Sequence, residues 1–182
     1  QPGAAMFMGT VLVMAMLLGP SVAGILMTAL AAGRKGFRDL GSRLRRWRVG
    51  GRWYAVALLT APVSTLVALL ALSIFSPCFL PAIRTTDDKV ALVLMWIVGG
   101  LLVGFFEELG WTGFAVPRMR RNYGVLTTGV VAGLLWGAWH FLVNWEVDTF
   151  SGVLPLALLL ARLFSWLPAY RVLMVWVYDR TE

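Results

Sequence analysis

The chain has 182 residues, of which 59% are hydrophobic and only 14% are charged, and its formal net charge is +7. A soluble globular domain carries about a quarter charged residues, so this composition, with a mean hydropathy of +0.78, excludes the soluble class and indicates an integral membrane protein. The basic residues stand in short clusters between apolar runs, as topology signals do, which argues against nucleic-acid binding.

Five apolar stretches are long enough to cross a bilayer as helices at ~1.5 Å per residue. In chain order they cover residues 4–32, 53–76, 90–117, 125–143 and 152–178. The last is interrupted by Arg162, Pro168 and Arg171. No stretch alternates as a strand does, and no linker or internal repeat divides the chain. The sequence therefore predicts a single all-α domain over residues 1–182, a polytopic transmembrane bundle of about five spanning helices.

Basic residues mark two of the connecting loops. Residues 33–52 hold many arginines against one acid, Asp39, and residues 118–124 hold three more arginines. By the positive-inside rule we expect these two loops on the cytoplasmic side, and residues 77–89 and 144–151 on the outer side. The bilayer is then the first partner of the protein, with anionic headgroups lying against the basic loops.

Two adjacent carboxylates, Glu107 and Glu108, interrupt the third apolar stretch. A carboxylate in hydrocarbon costs about 3 kcal/mol or more, so a pair of them indicates an ionic partner or a reaction. On a helix they point about 100° apart, so one can face a cavity while its neighbour is held by other groups. Alternatively the helix ends at Phe106 and the acids lie at the membrane surface. Against that, the apolar run continues to Pro117.

The single histidine, His140, lies near the end of the fourth stretch, where it could be an interfacial aromatic beside Trp139 and Trp145. At ~1.5 Å per residue, Glu107 lies roughly 15 Å above the basic turn and His140 roughly 22 Å. Tilt or a broken helix would bring them level, because a tight turn makes the two spans antiparallel neighbours. A carboxylate beside an imidazole can deprotonate water. The pair could also bind zinc, although two ligands are too few for a site.

Two segments resemble the motifs of a known family. Residues 107–118, EELGWTGFAVPR, are similar to the EExxxR motif of the CPBP family, which includes CAAX prenyl proteases and Abi-type bacteriocin-processing enzymes. Residues 136–140, WGAWH, are similar to its FxxxH motif. Residues 45–49 and 178–181 also resemble bacterial members, so the resemblance covers nearly the whole chain. It implies an intramembrane endopeptidase of the bacterial plasma membrane that hydrolyses a membrane-associated peptide or protein.

The resemblance also implies catalytic roles for three residues. Glu107 would be the general base that activates water, His140 its partner, and Glu108 a supporting charge in the site. No cofactor is expected; should zinc bind, Glu107 and His140 are the candidate ligands. Thr112 stands where the motif has arginine. The charge that neutralises Glu108 must then come from elsewhere, and we expect Arg162 to supply it.

The family's third motif places a histidine and an asparagine or aspartate on a helix that would follow Tyr178. We therefore expect a fragment that lacks the last catalytic helix, and residues 1–182 alone to be inactive, because loss of oxyanion stabilisation typically costs about 100- to 1,000-fold in rate. Thr112 favours one alternative, a non-catalytic membrane scaffold or a bacteriocin self-immunity protein that keeps the fold. A transporter that moves protons on the glutamate pair is a third, which no inverted repeat supports.

Overall fold

The computed structural model describes residues 2–144 and 147–182. Within these ranges the chain is helical and contains no strand. In the described part of the chain, five helices are long and apolar enough to cross a membrane, namely Phe7–Leu44, Gly51–Ser73, Lys89–Met119, Val125–Leu142 and Val153–Thr181. The predicted all-α bundle of about five spans is confirmed. Trp145, predicted as an interfacial neighbour of His140, lies outside the described residues.

Residues 48–104 form one of two compact units. This unit contains helix α2 (Gly51–Ser73), a short 3₁₀ turn (Pro77–Phe79), helix α3 (Ala82–Thr85) and the first part of helix α4 (Lys89–Gly110). None of the α2 residues is buried within the protein. An apolar helix surface of this kind suits hydrocarbon, because lipid tails are as apolar as leucine side chains.

The other compact unit combines residues 1–47 with residues 105–182. Its elements are α1 (Pro2–Leu44), the end of α4, a π-helical segment (Trp111–Ala115), α5 (Val116–Met119), α6 (Val125–Asn144), a 3₁₀ turn (Val147–Phe150), α7 (Val153–Ala161), a second π-helical segment (Arg162–Trp166) and α8 (Leu167–Thr181). The prediction that residues 1–182 form one domain stays a prediction.

Helix α1 changes direction at Gly33, whose φ of 51° and ψ of −140° lie outside the helical region. Glycine adopts positive φ readily because it has no Cβ atom. The prediction of a loop over residues 33–52 is therefore wrong in its first part, because the chain stays helical to Leu44 and only residues 45–50 connect it to α2. Arginine and leucine are good helix formers, and Leu40 is buried, which anchors this basic helix.

A row of glycines brings α6 directly against the last helix. A Cβ atom on Gly129 would lie 2.5 Å from Val172 Cα, and one on Gly137 would lie 2.5 Å from the Leu163 carbonyl oxygen. Such contacts between backbones are typical of helix pairs in membranes that carry a small residue at every fourth position. The row fixes the register of α6 against α8 and the segment before it.

A second close contact joins α1 to the end of α4. A Cβ atom on Gly24 would lie 2.7 Å from Gly110 Cα, and one on Gly110 would collide with the Pro20 carbonyl group. Nearby, the Ser21 hydroxyl donates a hydrogen bond to the Phe106 carbonyl oxygen. Because Phe106 and Gly110 flank the glutamate pair, α1 holds this part of α4 from one side.

Candidate active site

The glutamate pair lies inside a helix. Helix α4 continues past Phe106 to Gly110, so the alternative in which the helix ends at Phe106 is wrong. Glu107 is buried, while the Glu108 side chain keeps 25% of its surface exposed. A π-helical segment begins at Trp111, three residues after Glu108, and such single-turn π segments are frequent at functional sites.

Two side chains from α6 surround the Glu107 carboxylate. The Trp136 indole Nε1–H donates to Glu107 Oε2 at 2.8 Å. His140 Nε2 lies 3.9 Å from the other oxygen, Oε1. The structure thus brings together the two residues that the sequence placed at different depths on neighbouring helices. His140 stands at right angles to the Trp136 ring, with ring centroids 5.0 Å apart.

The surroundings of His140 set its tautomer. Its Nδ1 lies 3.0 Å from the Trp136 carbonyl oxygen, which can only accept, so Nδ1–H is the donor. A neutral ring then presents the lone pair of Nε2 towards Glu107 Oε1. The 3.9 Å between Nε2 and Oε1 is too long for a direct hydrogen bond. A water oxygen about 2.8 Å from both Nε2 and Oε1 would have these two atoms roughly 90° apart. It could therefore donate one hydrogen to each of them.

Glu108 is held by a different set of residues. Arg171 Nη1 donates to both carboxylate oxygens at 2.9 Å, and the Thr112 hydroxyl donates to Oε2. Arg171 is fully buried, and its guanidinium carbon lies 4.2 Å from the centroid of the Trp136 ring. A cation over an aromatic face is attracted by the ring's quadrupole. The carboxylate and the tryptophan together compensate the buried arginine.

The expectation that Arg162 neutralises Glu108 is wrong. Arg162 Nη2 instead donates to Asn144 Oδ1 at 2.9 Å in an exposed position. The glycine row explains the difference, because Gly129 faces Val172, next to Arg171, whereas Gly137 faces Leu163, next to Arg162. Arg171 is therefore level with the first half of α6 and Arg162 with its second half.

Arg171 and Trp136 are the site residues whose roles the sequence did not reveal. Arg171 was visible only as one of two arginines interrupting the fifth apolar stretch. Trp136 was visible only as part of the WGAWH segment, with no hint that its indole N–H meets Glu107. An isolated arginine inside an apolar helix was the available signal, since such charges are usually paired.

Arg43 connects the basic part of α1 to the segment after the glutamate pair. Its Nη2 donates to the Gly113 carbonyl oxygen at 3.0 Å, and its Nη1 donates to the Tyr178 hydroxyl at 3.5 Å. Arg43 also forms an ion pair with Asp39 at 3.1 Å. Beside these contacts lies a cavity of about 200 Å³ that reaches Glu108.

The candidate zinc ligands form a pair. Among the residues that the structure describes, no group of three or more histidine, cysteine, aspartate or glutamate side chains is placed to hold a metal ion. Glu107 and His140 remain the two candidates should zinc bind, and the expectation that no cofactor is needed stays a prediction.

Comparisons with known proteins bear on the part of the chain that contains this site. A family model described as type II CAAX prenyl endopeptidase Rce1-like matches residues 89–182, just over half of the chain. A curated relative, CAAX prenyl protease 2 of the archaeon Methanococcus maripaludis, is 39% identical over 41 residues, which is 22% of this chain and 15% of that protein. The aligned part thus spans well under two thirds of the relative's length. No solved structure matches the chain.

The matched residues include both glutamates, His140 and Arg171. The resemblance drawn from the segments EELGWTGFAVPR and WGAWH is confirmed at the level of CAAX proteases. The chain belongs to the type II CAAX prenyl endopeptidase Rce1-like family.

Proposed function

We propose that this protein is an intramembrane endopeptidase that hydrolyses a peptide bond in a membrane-associated peptide or protein. In this proposal Glu107 is the general base and His140 its partner. The observation that carries it is the 3.9 Å spacing between Glu107 Oε1 and His140 Nε2, which suits a shared water. Membership of the CAAX endopeptidase family supports the same class of reaction.

The reaction begins with a water that donates hydrogens to Glu107 Oε1 and His140 Nε2. As the water oxygen bonds to the carbonyl carbon of the substrate, one of its protons passes to Glu107. The protonated Glu107 then gives that proton to the amide nitrogen while the carbon–nitrogen bond breaks, and the carboxylate is regenerated. The Trp136 N–H donates a hydrogen bond to Glu107 Oε2, so the other oxygen, Oε1, is the one that faces the water.

Glu108 and Arg171 have a positioning role in this proposal. The ion pair of Glu108 with buried Arg171 ties α4 to α8. The base is thereby held against α6, which carries its partner His140.

The alternative of a non-catalytic scaffold or self-immunity protein rested on the missing motif arginine. In the structure the Thr112 hydroxyl donates to Glu108, and Arg171 supplies the positive charge from another helix. Glu108 is therefore not left without a cation, and this departure from the motif no longer favours loss of activity.

The first prediction tests the general base with the full-length gene product in lipid vesicles. Membrane-associated reporter peptides, prenylated and unprenylated, are followed by mass spectrometry. Glu107→Gln keeps the size of the side chain but cannot take a proton, so we expect kcat to fall about 100- to 10,000-fold. His140→Ala should also lower kcat strongly.

The matched control is Asp87→Asn, which also converts a carboxylate to an amide but at an exposed position in the loop before α4. Its activity should equal that of the unmodified protein. Melting midpoints are measured for all variants, so that loss of folding is separated from loss of chemistry. Wild-type rates for a stably folded Glu107→Gln protein, or an unmodified protein that cleaves none of the peptides, would contradict the proposal.

A further inference from the structure

Two cavities follow one another along the contact of α1 with the chain after the glutamate pair. The first, about 300 Å³, is lined by α1 residues between Gly19 and Met27 and by residues between Gly110 and Ala115. Its walls are almost entirely apolar. The second, about 470 Å³, begins at the neighbouring residues Thr28 and Pro117.

The second cavity is strongly basic. It is lined by Lys35, Arg43, Arg118 and Arg121 and by a single acid, Asp39. Since Asp39 already forms an ion pair with Arg43, three positive charges are left in excess. Like charges confined to one cavity repel each other, so an anion placed among them is attracted.

Two of these arginines are held in place by other contacts. The Arg118 guanidinium lies 3.7 Å from the centroid of the Phe114 ring. Arg43 is anchored through Gly113 and Tyr178, while its Nε is buried and has no hydrogen-bond partner among the described residues. Two of the four cations therefore have positions that are set before a ligand arrives, which lowers the entropy cost of binding.

The two cavities lie at different depths of the membrane. The helix Phe7–Leu44 has 38 residues, whereas about 20 cross the hydrocarbon core. Its charged part after Gly33 therefore lies at the membrane surface. Arg121 belongs to the turn between α5 and α6 and lies there as well. From the length of the helix Phe7–Leu44 we infer that the basic cavity is at the level of the headgroups and the apolar cavity inside the hydrocarbon.

We propose that these two cavities form a binding site for one anionic phospholipid. Its phosphate group lies among Lys35, Arg43, Arg118 and Arg121, and one acyl chain follows the apolar cavity along α1. Basic pockets between membrane helices are suited to such headgroups. The apolar cavity next to the basic one favours a lipid over a free phosphate ion, which would occupy only the basic part.

The same helix offers a matched control surface. Another cavity is lined by three arginines, Arg34, Arg38 and Arg45, together with Phe37 and Gly41, and none of these residues lines the apolar cavity. Ordinary attraction of cations to an anionic membrane would act on both surfaces alike. A specific lipid site, in contrast, depends only on the residues that line the basic cavity next to the apolar one.

The second prediction is tested on the full-length protein in nanodiscs or detergent by native mass spectrometry and thermal melting. Phosphatidylglycerol should bind saturably, one molecule per protein, and raise the melting midpoint; phosphatidylcholine and inorganic phosphate should not. Lys35→Gln with Arg121→Gln should weaken phosphatidylglycerol binding roughly tenfold, because two headgroup contacts are lost. Arg34→Gln with Arg38→Gln, which removes the same charge, should change it less than about twofold.

Folding of the first double variant is checked in phosphatidylcholine alone, where its melting midpoint should be no lower than that of the unmodified protein, because repulsion is reduced. Equal losses of binding in the two double variants would overturn the site in favour of general surface attraction. Equal stabilisation by inorganic phosphate would overturn the lipid as its occupant. Because the readout is binding, the inference does not rest on the proposed hydrolysis.

Discussion

The Trp136 side chain contacts Glu107 directly and Glu108 through Arg171. Its indole N–H donates to Glu107, while its ring face lies beside the guanidinium of Arg171, which pairs with Glu108. Nε and Nη2 of Arg171 are buried and have no hydrogen-bond partner among the described residues, so the aromatic face and the carboxylate carry the compensation of its charge. The two acids are therefore held by one connected set of side chains from three helices.

The third prediction concerns the stability of this set. Arg171→Met removes the cation but keeps much of the volume, and leaves the partly buried Glu108 carboxylate with Thr112 as its remaining hydrogen-bond partner among the described residues. Removing one partner of a buried ion pair lowers the free energy of unfolding by about 3–5 kcal/mol. Because Glu108 is partly exposed, we expect a loss near the lower end of this range. The melting midpoint in detergent should fall clearly.

Two further variants make this result specific. Adding Glu108→Gln to Arg171→Met should recover part of the loss, because the uncompensated charge is gone. Arg162→Met, which removes an arginine bonded to Asn144 in an exposed position, should have little effect. The assignment of Arg171 as the partner of Glu108 would be wrong if Arg162→Met were the more damaging change.

The sequence predicted one half of this site and missed the other for a physical reason. Glu107 and His140 could be paired because the tight basic turn makes their helices antiparallel neighbours. The partner of Glu108 could not be chosen in this way. The fifth helix is 29 residues long, more than the ~20 needed to cross the membrane, so its depth depends on packing that the sequence pattern does not express.

At the scale of the elements, α6 and α8 are set against each other by backbone contact. The glycine row leaves no space for side chains between them, and the register that follows determines which residues of α8 face the site. The sequence shows glycines four residues apart on α6, but it does not tell which helix they meet. Similarly, the sequence shows a glycine at position 33. It does not show that the first straight part of α1 ends at this residue and that the chain then continues as a helix.

The fourth prediction is that Gly129→Ala destabilises the protein. The added Cβ atom would lie 2.5 Å from Val172 Cα, and neither backbone can yield without moving a helix. Overpacking of this kind typically costs about 1–3 kcal/mol, measured as a lower melting midpoint or easier unfolding in a denaturing detergent. Gly104→Ala in α4 is the matched control, because nothing lies within 4 Å of its added Cβ atom. A loss of stability equal in both variants would refute the contact.

At the scale of the whole molecule, the five apolar helices establish an integral membrane protein, while the side on which each loop lies stays a prediction. The basic residues of segments 33–52 and 118–124 predict that both face the cytoplasm. The bacterial plasma membrane, implied by the resemblance to bacterial members, is likewise a prediction.

The fifth prediction uses the chain's one cysteine, Cys78, which is exposed and lies in the loop predicted to be outside. A membrane-impermeant maleimide should label Cys78 in intact cells. In the variant Cys78→Ser with Ser42→Cys, labelling should appear only after the membrane is opened, because Ser42 is exposed on the basic helix predicted to be inside. Labelling with the opposite pattern would invert the topology.

The contact of Glu108 with Thr112 and Arg171 bears on how such proteins are recognised in genomes. The EExxxR motif places a positive charge one helical turn after the second glutamate. Here that charge stands on another helix, 63 residues after Glu108. A pattern search that demands arginine at the position of Thr112 would pass over this protein. A search that also accepts threonine there, when an arginine interrupts the later helix, would retrieve chains with the same charge arrangement.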